Sequence, residues 1–146
     1  MIEYFAQSHV GLVRKGNEDF YYAPSQSRTK DPQFFLCVAD GLGGHNAGEI
    51  ASQLAVRTMV TSMQTMEGKN QMLDHPFETM QRLFFEANDK IHMLSTESEK
   101  MYGMGTTLTA AVCKKHMVCI AHVGDSRAYL FNEDGLVQIT TDHTFV

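Results

Sequence analysis

Apolar residues change their spacing twice along the chain, which divides it into a strand-like start, a helical middle and a strand-like end. At the start, strand character is predicted for Met1–Val13, for residues 20–23 and for the continuous apolar run Phe34–Val38. At the end, further strands are predicted over residues 106–113, 117–123, 128–131 and 136–139, with residues 132–135 as a hairpin turn that finishes in glycine.

The helical middle begins near Glu49, where apolar side chains start to recur every three or four residues. Gly68-Lys69-Asn70 is predicted to end this helix, and a second helix is predicted after Asp74 with Pro76 in its first turn. Strands, then helices, then strands favour an α+β fold in which helices pack on a mainly antiparallel sheet. Because no segment resembles a linker, residues 1–146 are predicted to form one domain.

Asp40 follows the apolar run after one residue, Ala39, and precedes four glycines that fall within residues 41–48. This order predicts a strand that ends in a carboxylate, followed by a glycine-rich turn and a helix. Glycine lets the backbone adopt positive φ and approach an ion or a phosphate closely. An unpaired carboxylate after a buried strand is costly, so Asp40 is the acid that most needs a functional explanation.

Charge and cysteine content restrict the partners and the compartment. The net charge of −5 argues against nucleic acid or an anionic membrane as partner, and no stretch approaches the length of a membrane span. The three cysteines, Cys37, Cys113 and Cys119, are odd in number and lie in apolar runs, so they are predicted to be free core thiols in a reducing compartment. The expected location is the cytoplasm, and the N-terminus shows no signal-peptide pattern.

Carboxylates at three predicted strand ends are candidate metal ligands. They are Glu18 with its neighbour Asp19, then Asp40, and then Asp125. Hard divalent cations such as Mg²⁺ and Mn²⁺ prefer oxygen ligands of this kind, and strand ends distant in sequence can converge in space. The alternative is that these acids only form turns.

Arginine and histidine supply further candidates. Arg14 and Arg127 are candidate phosphate ligands, since a guanidinium can hold two oxygens at once, although an arginine taken alone more often lies on the surface or forms a salt bridge. His45 lies in the glycine-rich turn, where it could reach a metal or simply be solvated. His143 could be oriented by Asp142, with a purely structural hydrogen bond as the alternative.

Five segments together resemble the metal-dependent, type-2C (PPM) serine/threonine protein phosphatases, particularly those of bacteria. The segments are residues 11–19 (Gly-Leu-Val-Arg-Lys-Gly-Asn-Glu-Asp), 38–45, 105–107, 124–127 and 141–143, and they occur in the family's order over almost the whole chain. The resemblance implies an antiparallel β-sandwich flanked by helices, incomplete at its C-terminus. Leu42 stands where eukaryotic members often have a histidine.

The resemblance also implies a site for two Mn²⁺ or Mg²⁺ ions. By this comparison Asp40 bridges the two metals, Gly41 offers its backbone carbonyl and Glu18 lies in the second metal's shell. Asp125 corresponds to the acid of a third, weaker metal, and Arg14 holds the substrate phosphate. A metal-activated water would attack the phosphoryl group directly.

The activity expected from the resemblance is that of a signalling hydrolase that removes phosphate from phosphoserine and phosphothreonine in proteins. The family's later aspartates, in its Ser-Asp-Gly and Asp-Asn motifs, have no equivalents up to Val146. The chain is therefore expected to be weak or inactive alone. One alternative is a non-catalytic module that binds a phosphoprotein or a kinase. Another is a half-domain that pairs with a second copy through exposed sheet edges.

Overall fold

A helix-covered antiparallel sheet forms the centre of the protein in the computed structural model, which describes residues 2–25, 28–29, 33–44 and 46–144. The strands are β1 (Ile2–Glu3), β2 (Asp19–Tyr22), β3 (Arg28–Thr29), β4 (Gln33–Leu42), β5 (Gly105–Thr106), β6 (Leu108–Lys114), β7 (Met117–Val123), β8 (Tyr129–Asn132) and β9 (Gly135–Gln138). The central sheet has the order β2-β4-β6-β7, and β5 pairs with the end of β4. The pairs β1–β3 and β8–β9 form two small antiparallel ribbons.

Three helices connect β4 to β5. They are α1 (Ala47–Met63), α2 (Met66–Asp74) and α3 (Pro76–Glu97), and a short 3₁₀ turn at Glu99–Met101 follows them. Within the described ranges, none of them is long and apolar enough to cross a bilayer. The predicted α+β fold with antiparallel sheets and helices is confirmed.

The alternation of side chains along β4 decides what lies on each face of the sheet. Phe35, Cys37 and Ala39 are buried against the helices, where Met59 of α1 and Met80 of α3 also lie in the core. The even-numbered side chains of β4 therefore point to the opposite face, because successive side chains on a strand alternate. Asp40 belongs to this second set, so it lies on the side of the sheet away from the core.

Two predicted boundaries differ from the structure at glycines. β4 does not end at Asp40 but continues to Leu42, because Gly41 and Leu42 pair with β5. Gly68 does not end a helix but lies in the first turn of α2, whose N-cap Thr65 accepts a hydrogen bond from the Gly68 amide at 3.0 Å. A side chain at Gly68 would overlap the Ser62 carbonyl. This glycine therefore allows α2 to approach the end of α1 closely, and it does not end a helix.

The predicted strand over Met1–Val13 is largely wrong. Among the described residues 2–13, only Ile2 and Glu3 pair, while residues 4–10 have no regular structure and residues 11–13 form a turn. Leu12 and Val13 are 100% and 93% exposed, so the apolar pattern of this segment has no core to face. By contrast, the predicted bounds of β7 and the position of Pro76 at the start of α3 agree with the structure.

Candidate metal and phosphate site

Asp40 is the centre of an acidic cluster on the open side of the sheet. It lies directly opposite Asp19 in the β2–β4 pairing. Burial raises the pKa of Asp40, and so do the negative charge of Asp19, a hydrogen bond between these two side chains and the charge of Asp125, whereas Arg14 acts in the opposite direction. A hydrogen bond between two carboxyl groups requires a proton on one of them. The acids of the cluster therefore oppose one another's charge, and a cation between them would reduce that repulsion.

Thr107 connects the Asp40 backbone to the loop that carries Asp125. The Asp40 amide donates to the Thr107 hydroxyl at 2.9 Å, and the Thr107 amide donates to the Asp40 carbonyl at 2.9 Å. The same Thr107 hydroxyl lies 2.7 Å from the Ser126 hydroxyl, within hydrogen-bonding distance. Asp125 is thus held near the end of β4 through its neighbour Ser126. The link depends on the contact between Asp40 and Thr107, which are 67 residues apart in sequence.

Glu18 is fixed against the start of α1. Its carbonyl accepts hydrogen bonds from the Gly41 amide at 3.1 Å and from the Ser52 hydroxyl at 2.6 Å. A Cβ atom on Gly48 would lie only 2.5 Å from Glu18 Oε1, so the glycine leaves the space that this carboxylate occupies. The N-terminus of a helix also favours a nearby negative charge.

Arg14 stands at the rim of the acidic cluster, and the described residues leave most of its donors unused. Its Nη1 lies 3.4 Å from Glu18 Oε2, and its side chain is 74% exposed. A guanidinium carries five N–H donors, so an anion can bind Arg14 while the contact with Glu18 persists. Next to the cluster, Asp19, Asp40 and Ser126 line a cavity of about 200 Å³.

Arg127 is engaged elsewhere, so its interpretation as a phosphate ligand is replaced by its alternative, an ion pair. Its Nε donates to both carboxylate oxygens of Asp142 at 3.0 Å, and its Nη2 lies 2.6 Å from Asp142 Oδ2. The Arg127 guanidinium lowers the pKa of Asp142. Asp142 therefore does not orient His143, whose Nδ1 instead accepts from the Gly124 amide at 3.3 Å.

The structure brings the candidate residues Arg14, Glu18, Asp40, Gly41 and Asp125 to one region, but it does not close a ligand set. Within the described part of the chain, no three His, Cys, Asp or Glu side chains form a group able to hold a metal ion. The assignment of these residues as metal ligands stays a prediction, and His45 lies outside the described residues.

Asp19 is a candidate metal ligand to which the family resemblance assigns no role. Its adjacency to Glu18 drew attention to it, but only the strand register shows that it faces Asp40. Alternation along β2 places Asp19 and Tyr21 on one face and Phe20 and Tyr22 on the other, and Phe20 and Tyr22 pack against the core. In the sequence, the placement of aromatic residues at positions 20 and 22 was the signal that could have predicted Asp19 on the face away from the core.

A family model for protein phosphatase 2C matches residues 15–145, nearly the entire chain. The chain belongs to the protein phosphatase 2C family. Among its relatives, this phosphatase 2C chain is 39% identical over 137 residues to the serine/threonine phosphatase stp of Listeria innocua, covering 93% of the chain and 52% of that relative. It is 36% identical over 146 residues to the serine/threonine protein phosphatase PstP of Mycobacterium tuberculosis, covering 26% of that relative.

Solved structures agree with the family assignment. The crystal structure of Mycobacterium tuberculosis PstP matches with a TM-score of 0.77 at 36% identity, covering 95% of this phosphatase 2C chain and 54% of PstP. The PstP catalytic domain in complex with two manganese ions matches with a TM-score of 0.78, again at 36% identity, covering 95% of this chain and 55% of that one. The chain thus spans about half the length of stp and of these structures.

Proposed function

We propose that the natural polypeptide containing this chain hydrolyses phosphoserine and phosphothreonine in proteins, with divalent cations bound at the Asp40 cluster. The observation that carries the proposal is the convergence of Asp19, Asp40 and Asp125 beside an exposed Arg14. The relatives support the same reaction, since stp and PstP are serine/threonine phosphatases and PstP has been crystallised with two manganese ions.

The donor set suits Mn²⁺ or Mg²⁺, because carboxylate and carbonyl oxygens are what these hard ions prefer. Under the proposal, Asp40, Glu18 and the Gly41 carbonyl would hold two ions, and Asp125 would contribute to a third, weaker position. Burial and the charges of Asp19 and Asp125 raise the pKa of Asp40, which supports this, since a partly buried carboxylate beside other acids is stabilised by a nearby cation. When bound, the cations would supply positive charge and polarise water and the phosphoryl oxygens.

The chain's own residues bind and position the substrate around that charge. Arg14 offers its free N–H groups to the phosphoryl oxygens, an interaction that strengthens as negative charge develops in the transition state. Thr107 keeps Asp40 and the loop before Ser126 in fixed relation through the hydrogen bonds at 2.9 and 2.7 Å. The open face of the sheet leaves room for a phosphorylated segment of another protein, which is too large for an enclosed pocket.

Steady-state hydrolysis of a phosphopeptide by the natural polypeptide with Mn²⁺ tests the role of Arg14. Arg14→Ala is expected to lower kcat/KM by about 10–100-fold, since a charge-assisted phosphate contact is lost. Arg82→Ala is the matched control, because Arg82 also forms an exposed i,i+4 ion pair, with Glu86 at 3.6 Å, but lies on α3. Equal rates for Arg14→Ala and wild type would refute the phosphate-binding role.

The metal assignment is tested with Asp40→Asn and with Asp134→Asn, an exposed turn carboxylate, as its control. Asp40→Asn is expected to abolish Mn²⁺-dependent turnover, and Asp134→Asn to leave it unchanged. Undiminished turnover in Asp40→Asn would overturn the assignment. A polypeptide that binds the phosphopeptide and releases no phosphate with either metal would support the non-catalytic binding module instead.

The chain by itself is proposed to bind Mn²⁺ weakly, because the described residues do not form a closed ligand set. Titration calorimetry of the chain with MnCl₂ measures this directly, and tight binding of two ions would contradict it. A cytoplasmic location is also proposed, supported by three cysteines that remain free thiols, two of them buried.

A further inference from the structure

The two neighbours of Asp125 are each held by a different part of the chain. On one side, the Ser126 hydroxyl lies 2.7 Å from the Thr107 hydroxyl. On the other side, Gly124 forms two hydrogen bonds with His143. The His143 amide donates to the Gly124 carbonyl at 2.7 Å, and the Gly124 amide donates to His143 Nδ1 at 3.3 Å. Both flanking residues are therefore held, although Asp125 itself is exposed.

Gly124 sets the direction in which the chain enters Asp125. Its φ is +106°, in the left-handed region that favours glycine, and a Cβ atom here would lie 2.6 Å from Thr107 Cγ2. Glycine has more backbone conformations available than any other residue, so hydrogen bonds to both its amide and its carbonyl restrict it strongly. The position of Asp125 therefore depends on the contact between Gly124 and His143.

The His143 ring has the support and the protonation form that this contact needs. It packs against the His122 ring, with the two centroids 5.2 Å apart. His122 Nδ1 in turn lies 2.8 Å from the Thr109 hydroxyl, across the β6–β7 pairing. Because His143 Nδ1 accepts from an amide, it carries no proton, and the proton of the neutral ring lies on Nε2. The central sheet thus supports the ring whose acceptor binds Gly124.

We propose that His143 is a positioning residue for Asp125 and acts through its hydrogen bond with Gly124. The role rests on the proposed function, in which Asp125 would contribute to a third, weaker cation position. Asp125 is close enough to Asp40 for its charge to raise the pKa of that acid, so movement of the loop would change the cluster itself. Groups that orient a metal ligand without touching the metal typically change metal affinity by about 10–100-fold.

Two substitutions separate the acceptor of His143 from its ring. His143→Phe keeps a ring against His122 and removes the acceptor. His143→Asn loses the ring and keeps an acceptor bonded to Cγ, where Nδ1 is bonded in histidine. If His143 acts through Gly124, His143→Phe is defective and His143→Asn resembles wild type. A role in ring packing alone predicts the reverse order.

Hydrogen exchange of the metal-free natural polypeptide, followed by NMR, tests the contact without reference to activity. The Gly124 amide is expected to exchange at least about tenfold faster in His143→Phe than in wild type, because it loses its acceptor, and at nearly the wild-type rate in His143→Asn. His116→Phe is the matched control, since His116 is an exposed histidine in the turn between β6 and β7. Equal exchange of this amide in wild type and His143→Phe overturns the positioning role.

Phosphopeptide hydrolysis by the natural polypeptide over a range of Mn²⁺ concentrations tests the consequence. His143→Phe is expected to need about tenfold more Mn²⁺ for half-maximal turnover and to approach the wild-type kcat when Mn²⁺ is saturating. A variant that had only lost stability would turn over more slowly at every Mn²⁺ concentration. In Asp125→Asn, the addition of His143→Phe should leave the Mn²⁺ requirement unchanged, because His143 acts through Asp125.

Asp40→Asn separates a failure of this role from a failure of the proposed function. Turnover as fast as wild type in Asp40→Asn overturns both. Loss of turnover in Asp40→Asn together with a wild-type Mn²⁺ requirement in His143→Phe overturns only the positioning role. An effect of His143→Phe that persists in Asp125→Asn overturns that role as well, since His143 would then act on another part of the site.

Discussion

Replacing Gly41 by alanine would place a methyl group between two segments of backbone that the site holds together. A Cβ atom at Gly41 would overlap the Gly48 carbonyl oxygen and lie 2.8 Å from the Glu18 carbonyl oxygen. Neither neighbour can rotate away, because Gly48 belongs to α1 and the Glu18 carbonyl is held by the Gly41 amide and the Ser52 hydroxyl. One strand or the helix must therefore shift.

The magnitude follows from the cost of overpacking, about 1–3 kcal/mol where side chains can adjust. Since both neighbours of Gly41 are backbone, we expect the upper end, about 3 kcal/mol of unfolding free energy. A chain of this size loses roughly 2–4 °C of Tm per kcal/mol, so the expected decrease is roughly 6–12 °C. Circular dichroism melting and urea unfolding both measure it.

Gly44→Ala is the matched control within the same turn. A Cβ atom at Gly44 would have no neighbour within 4 Å, and the backbone there is not in the left-handed region. This variant should be unchanged or slightly more stable, because alanine restricts the unfolded chain. An unfolding free energy of Gly41→Ala within about 1 kcal/mol of wild type would refute the argument that the backbone packs too closely here for a side chain. An equal loss of stability in both variants would refute it as well.

Three further outcomes are expected. Without metal, Asp40→Asn should raise the unfolding free energy by about 0.5–1 kcal/mol, because it removes charge repulsion from Asp19 at a partly exposed site. Chemical denaturation measures this, and a variant less stable than wild type would contradict it. Burial raises the pKa of Cys37 to about 12, so iodoacetamide should label this thiol only when the chain unfolds. The unfolding free energy should also fall as the pH rises from about 9 towards 12, because only the unfolded thiol ionises in that range. Fast labelling of folded chain would disprove the burial. Thr107→Val should cost about 1–3 kcal/mol in thermal melts by leaving the Asp40 amide without its acceptor, whereas Thr96→Val, at an exposed position, should cost little.

Periodicity predicted the elements whose stability comes from one buried face. Met117–Val123 and the helix that begins at Pro76 were located correctly because alternation or a three-to-four spacing continues through each of them. Leu12 and Val13 show the limit of this signal, since apolar residues predict a strand only where a core or a partner strand exists for them to face. Gly68 shows another limit, because the contact that requires a glycine there comes from Ser62 in the preceding helix.

The candidate site was predictable as a set of residues but not as an arrangement. Asp40 and Asp125 could be singled out because each follows an apolar run and adjoins a glycine. Their proximity depends on strand pairing and on Thr107, which the spacing of residues does not reveal. The ion pair between Arg127 and Asp142 likewise depends on the path of the chain after β9. The sequence alone therefore could not decide whether Arg127 forms an ion pair or binds phosphate.

The Thr107 linkage also bears on how the chain reaches its native state. Contacts between residues far apart in sequence form late, because a large loop must close before they repay its entropy. We expect Asp19 to approach Asp40 when β2 pairs with β4, whereas Asp125 can approach Asp40 only after β6 and β7 have joined the sheet. We therefore expect the acidic cluster to be completed late in folding, and the Asp40 amide, which donates to Thr107, to exchange its hydrogen with solvent slowly.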